Sequence, residues 1–108
     1  MITRLVAGVL IATGLTVVPL PSATAGGPTV SVADMRFTPA TLRVGLGTTV
    51  TWRFPDEMAH TTTSTQGFWD SGSKSGGQTF RRTFGSAGSY PYRCTIHPTM
   101  RGTVRVPV

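Results

Sequence analysis

The chain has 108 residues, a net charge of +6 and a single cysteine, Cys94. That length suits one domain, and a lone cysteine excludes an internal disulfide as the staple that so small a domain would welcome. The cations are scattered singly, with no basic helix and no aromatic–basic motif, which argues against nucleic acid as the partner.

Residues 1–25 read as a secretory signal peptide. Arg4 charges a short leading segment, residues 5–20 are uncharged and apolar, and Ser22-Ala23-Thr24-Ala25 offers small residues before a cut after Ala25. The apolar run is shorter than the roughly 20 residues a spanning helix needs, so cleavage is expected over retention as an anchor. With no cysteine near the cut, a lipoprotein is excluded. The expected product is a single domain over residues 26–108, exported across the plasma membrane to the periplasm or cell envelope, or secreted beyond it. Arg4 is the only charged residue before residue 26, so this domain keeps a net +5. Such a charge favours acidic partners and speeds encounter with them.

Past the apolar run no helical period remains. Short alternating or β-branched stretches appear, separated by Gly, Pro, Ser and Asp. Strands are predicted at residues 29–33, 41–44 and 48–54, the last with Val50, Trp52 and Phe54 on one face. Residues 60–64 are threonine-rich and extended, and residues 67–77 read as a loop. Strands at 78–84 and 89–95 flank a turn at 85–88, and 102–106 closes the domain. Seven or eight short strands at this spacing predict an all-β protein, a two-sheet antiparallel Greek-key sandwich. Arg82 conflicts with the pattern: it shares the face of Phe80 and Phe84, so a bulge or a snorkelling side chain must intervene.

The chemistry is concentrated between the last two strands. Cys94, His97 and Met100 put a thiolate, an imidazole and a thioether within seven residues, where a short loop can curl them around one point. His60, the only other histidine, follows a turn at residues 56–59 that ends another strand. Two imidazoles, a thiolate and a long axial thioether make the trigonal site that copper accepts in both oxidation states. Zinc accepts cysteine and histidine too, but the thioether argues against it.

These residues resemble the cupredoxin (blue-copper) family, of the amicyanin and plastocyanin type, over essentially the whole domain. Met35-Arg-Phe37-Thr-Pro-Ala-Thr-Leu42, Thr48-Val-Thr-Trp52, His60, Phe68-Trp-Asp-Ser-Gly72 and Tyr92-Arg-Cys94 fall in that family's order. The Cys-x-x-His-x-x-Met loop is similar to amicyanin's in particular. The resemblance implies one bound copper ion and single-electron transfer between redox partners, with no enzymatic activity. It implies His60 and Cys94 as buried equatorial ligands, His97 as the equatorial ligand whose ring edge reaches the surface, and Met100 as the weak axial one. Thr61 would brace the two ligand segments and tune the thiolate. Met35, Met58 and Pro98 would form an apolar collar around His97 where partners dock. Met58-Ala59 stands where relatives more often show a proline, and Gly45-Leu46-Gly47 replaces an acidic turn.

Other classes remain. A copper carrier or buffer outside the cytoplasm would use the same ligands to deliver metal. A metal-free interaction module of immunoglobulin type would need a second cysteine, and none is present. An enzyme built on Cys94 and a histidine lacks an orienting acid or amide nearby in sequence. Partners are expected to be transient redox proteins, acidic in charge, meeting a monomer.

Overall fold

Alternation of inward apolar and outward polar side chains sets the strands that the sequence forms. A computed structural model describes residues 27–108, and the signal peptide expected over residues 1–25 lies outside them. The strands are β1 (Thr29–Ala33), β2 (Arg36–Thr38), β3 (Thr41–Arg43), β4 (Thr49–Phe54), β5 (Thr63–Ser64), β6 (Gln78–Thr83), β7 (Gly88–Arg93) and β8 (Arg101–Val106). They form two four-stranded sheets, ordered β2-β1-β4-β6 and β3-β8-β7-β5. The domain is thus the expected all-β sandwich.

Its pairing departs from wholly antiparallel in two places. Strand β1 runs parallel to β4, with Val30 opposite Trp52, and β3 runs parallel to β8, with Leu42 opposite Val104. The reason is the path of the chain. After the β1–β2 hairpin it crosses to the second sheet as β3 and returns as β4, and a returning crossover brings a strand in parallel where a hairpin would bring it antiparallel. Strand β2 was not anticipated. It folds back on β1 through the two-residue turn Asp34-Met35, whose φ angles are 54° and 59°.

Trp52 occupies the middle of the core, fully buried. Its ring lies 5.5 Å from Tyr92, 5.7 Å from Trp69, 5.9 Å from Phe80 and 6.4 Å from Phe84. Around it pack Val30, Val32, Val50, Phe54 and Val104, all buried. The Arg82 conflict is resolved by snorkelling. Strand β6 pairs with β4 in unbroken register, with no bulge. The guanidinium lies 4.8 Å from the ring centre of Phe84, 5.0 Å from Trp69, and 5.9 Å from both Phe68 and Tyr90. An inward arginine is tolerated there because aromatic faces replace part of its hydration.

The layout gathers two chain segments at one end of the sandwich. The loop from Cys94 to Met100 joins β7 to β8, and the pairing of Thr63 with Arg93 lays residues 60–62 beside it.

Candidate metal centre

Cys94 is the first residue beyond β7 and Met100 the last before β8. The Cys94 N–H donates to the Met100 carbonyl at 3.1 Å, and the Met100 N–H donates to the His97 carbonyl at 2.9 Å. These bonds close the loop across its own mouth, so seven residues must curl and turn their donors inward. His60 is held from elsewhere. Its N–H donates to the Lys74 carbonyl at 3.0 Å and its carbonyl accepts from the Lys74 N–H at 2.9 Å. The stretch read from sequence as a plain loop therefore contains the backbone that anchors a donor.

Three of the four predicted donors converge. Cys94 Sγ lies 4.0 Å from His60 Nδ1 and 3.8 Å from His97 Nδ1, and the donor atoms all fall within 4.8 Å of one another. Those separations are long for hydrogen bonds. They suit a shared ion, because metal–sulfur and metal–nitrogen bonds of about 2.3 and 2.0 Å meeting at a trigonal centre hold their donors about 3.7 Å apart. His60 and Cys94 are fully buried and Met100 is 2% exposed, whereas His97 is half-buried. Of these four residues, His97 alone is substantially open to solvent.

Thr61 links the two segments through its backbone and its side chain. Its N–H donates to Cys94 Sγ at 3.4 Å. Its hydroxyl accepts from the Thr95 N–H at 2.9 Å and lies 2.9 Å from Thr63 Oγ1. Thr95, Thr63 and Lys74 escaped the sequence reading because their contribution is made through backbone atoms or a short hydroxyl bridge. Met35 and Met58 are 45% and 52% exposed, and Pro98 is exposed as well. Ile96, 46% exposed, adds apolar surface to the same ligand loop and was also missed. The Asp34 N–H donates to Asp56 Oδ2 at 3.3 Å, which draws the turns carrying Met35 and Met58 together.

Burial, and secondly the neighbouring His97, hold the pKa of His60 below its ordinary value of 6.5, with Asp56 acting in the opposite sense. The unfolded chain therefore takes up a proton first as the pH drops. The metal-free protein should be fully stable above that ordinary value and lose stability as pH falls toward the lowered one. Denaturant midpoints of the metal-free protein at about pH 7.5 and about pH 5.5 check this, and a midpoint that does not fall at the lower pH contradicts it. His60 Nε2 is buried and has no hydrogen-bond partner among the described residues, which adds to the cost of charging the ring.

Comparison with known proteins agrees with this geometry. Residues 26–107 match the copper binding proteins of the plastocyanin/azurin family. Amicyanin from Paracoccus denitrificans is 36% identical over 86 residues, covering 75% of this chain and 66% of that protein. Amicyanin-alpha from Methylorubrum extorquens is 33% identical over 89 residues, covering 78% of this chain and 75% of that protein. The chain thus spans just under two thirds of the first of these relatives. Among solved structures, an oxidized amicyanin variant superposes with a TM-score of 0.71 at 34% identity, over 75% of this chain and 82% of that one. A reduced Cu(I) form of another amicyanin variant gives the same TM-score, 0.71, at 35% identity and the same coverage, 75% and 82%.

Proposed function

The chain belongs to the plastocyanin/azurin family of copper-binding proteins, and on that premise we propose that His60, Cys94, His97 and Met100 hold one copper ion through which it carries single electrons. The observation that carries this reading is the convergence of two imidazole Nδ1 atoms on one buried cysteine sulfur. Copper held there supplies the one-electron Cu(II)/Cu(I) couple. The protein's own part is to keep the donors where they are. The Lys74 backbone fixes His60, the Cys94–Met100 bond closes the loop, and Thr61 ties the two together. Braced donors suit both oxidation states, so little rearrangement opposes electron movement.

A copper carrier would use the same ligands but must surrender the ion readily. Donors buried on mutually bonded segments favour retention, and so the electron-carrier reading. In this reading the protein is no enzyme, since both histidines and the cysteine are committed to the metal. It works after export, in the periplasm or outside the cell, as a monomer that meets acidic redox proteins briefly around the half-buried His97. Among the described residues no helix is long and apolar enough to cross a membrane.

The test is a visible spectrum after one equivalent of Cu(II), followed by reductive titration. An intense thiolate-to-copper band that bleaches with one electron and returns on reoxidation is the expected result. A colourless solution would overturn the reading, and rapid loss of copper to a mild chelator would favour the carrier.

A further inference from the structure

A line of hydroxyl groups runs from the metal centre to the surface, and the direction of its hydrogens is fixed. Thr61 Oγ1 accepts from the Thr95 N–H at 2.9 Å, and lies 3.3 Å from Thr95 Oγ1 and 2.9 Å from Thr63 Oγ1. Thr63 in turn donates its hydroxyl hydrogen to Asp70 Oδ1 at 3.1 Å. A hydroxyl has one hydrogen, and a carboxylate can only accept. With the Thr63 hydrogen committed to Asp70, the 2.9 Å contact between Thr63 and Thr61 must carry the hydrogen of Thr61, because two oxygens that close repel unless they share one. Thr61 then has none left for Thr95, so the Thr95 hydroxyl donates to it. Every hydrogen points the same way, from Thr95 through Thr61 and Thr63 to Asp70.

Asp70 is exposed, yet its place is set from both sides. Its backbone bridges to Thr63. Before it, the Trp69 indole N–H donates to the buried Thr62 hydroxyl at 3.1 Å. After it, the Ser71 hydroxyl accepts from the Thr62 N–H at 2.9 Å, and the Ser71 N–H donates to the Thr62 carbonyl at 3.0 Å. The Gly72 N–H donates to the same Asp70 Oδ1 at 2.9 Å, which fixes the rotation of the carboxylate.

We propose that Asp70 is a positioning residue of the copper site, the anchored acceptor that orients these three hydroxyls; the inference rests on the electron-carrier reading above. Thr95 follows Cys94 and Thr61 follows His60, so Thr61 Oγ1 is a joint between the two ligand segments. Both lone pairs of that oxygen are taken by Thr95, and its hydrogen is drawn off toward Asp70. The hydroxyl has no freedom left to rotate. It is also a better acceptor for the Thr95 N–H, because bonds in a one-way chain polarise one another. A surface carboxylate thus stiffens the joint between Cys94 and His60, and a stiff joint keeps rearrangement small when an electron arrives.

Thr63→Val tests the chain, since it keeps the shape and the charge of the protein and removes the middle link. The copper-loaded variant should lose Cu(I) to the chelator bicinchoninate about fivefold faster, the worth of one hydrogen bond, and its electron self-exchange should slow. In the metal-free variant the Thr95 amide should exchange with solvent about fivefold faster by NMR. Thr63→Ser, which keeps the hydroxyl, should restore all three. Asp70→Asn keeps an acceptor oxygen, held on its side by the Gly72 N–H, and should stay close to the parent; Asp70→Ala should follow Thr63→Val. Unchanged Thr95 exchange in Thr63→Val overturns the proposal, as does an Asp70→Asn protein that loses as much as Asp70→Ala. A Thr63→Val protein altered only in its unfolding midpoint overturns it too, because a part in folding alone leaves copper loss and self-exchange as they were. A copper-loaded parent that lacks the intense band and exchanges no electrons sinks the electron-carrier reading, and the role of Asp70 with it, whatever Thr95 exchange shows.

Discussion

Cys94→Ser is expected to abolish the intense visible absorption of the copper-loaded protein and, with it, most of the stability that copper confers. Cys94 is fully buried and, as the chain's single cysteine, is the one thiol sulfur beside the two imidazoles. A serine hydroxyl stays protonated near neutral pH, so the substitution removes both the negative charge and the soft donor that suits Cu(I). The metal-free fold should change little, since a buried thiol acts as a small hydrophobe and a lone hydroxyl there costs about 1 kcal/mol. The loss should appear instead in linkage. A ligand present at about 1,000 times its dissociation constant stabilises the fold that binds it by about 4 kcal/mol, and a variant that no longer holds the ion forfeits that gain. Unfolding of parent and variant, each with and without copper, separates the two contributions. A variant that keeps the band, or gains as much stability from copper as the parent, would mean that the thiolate is not a ligand.

The grouping of the Cys94 and His97 donors was legible in the sequence because it resides in residue type and close spacing. Cys94, His97 and Met100 need only a loop of seven residues, and that loop is local. The alternation of Val50, Trp52 and Phe54 was legible for the same reason, since it records which face of β4 meets the core. What was hidden depends on residues far apart in the chain. His60 is held by Lys74, and nothing in the glycine- and serine-rich stretch around Lys74 announces a pairing. Arg82 was visible as a conflict, but its resolution needed Phe68, Trp69 and Tyr90 to arrive from other elements. Strand β2 was missed because its turn carries Asp34-Met35 where a glycine or asparagine would have marked the positive φ angles. The parallel pairings were missed because alternation within a strand says nothing about the direction of its neighbour.

The bracing that connects the core to the metal centre makes a second large effect expected, at a residue with no polar group. Gly102→Ala should destabilise the protein by about 1–3 kcal/mol and loosen its hold on copper. Gly102 lies directly opposite Tyr92 on β8, with its missing side chain on the inward face. A Cβ there would overlap Tyr92 Cζ and come within 2.9 Å of Cε2. The ring has nowhere to go. It is 1% exposed, set edge-on against Phe37 at 4.7 Å and against Trp52 at 5.5 Å. Burial pushes its phenol pKa up to about 12, with Trp52 pulling the other way, so ionisation near neutral pH offers no relief. The strain must then be taken up by the backbone of β7 or β8. Two residues further along those strands stand Cys94 and Met100, joined by the hydrogen bond that closes the ligand loop. Splaying the strands should therefore lower the unfolding midpoint and speed copper loss to a chelator together. Tyr92→Phe distinguishes this from a general loss of packing, because the Tyr92 hydroxyl is buried without a hydrogen-bond partner among the described residues and its removal alone should be nearly neutral. Placed beside Gly102→Ala, it should recover part of both losses. A Gly102→Ala protein with parental midpoint and copper retention would show that Tyr92 can shift freely, and that the sheet does not transmit strain to the site.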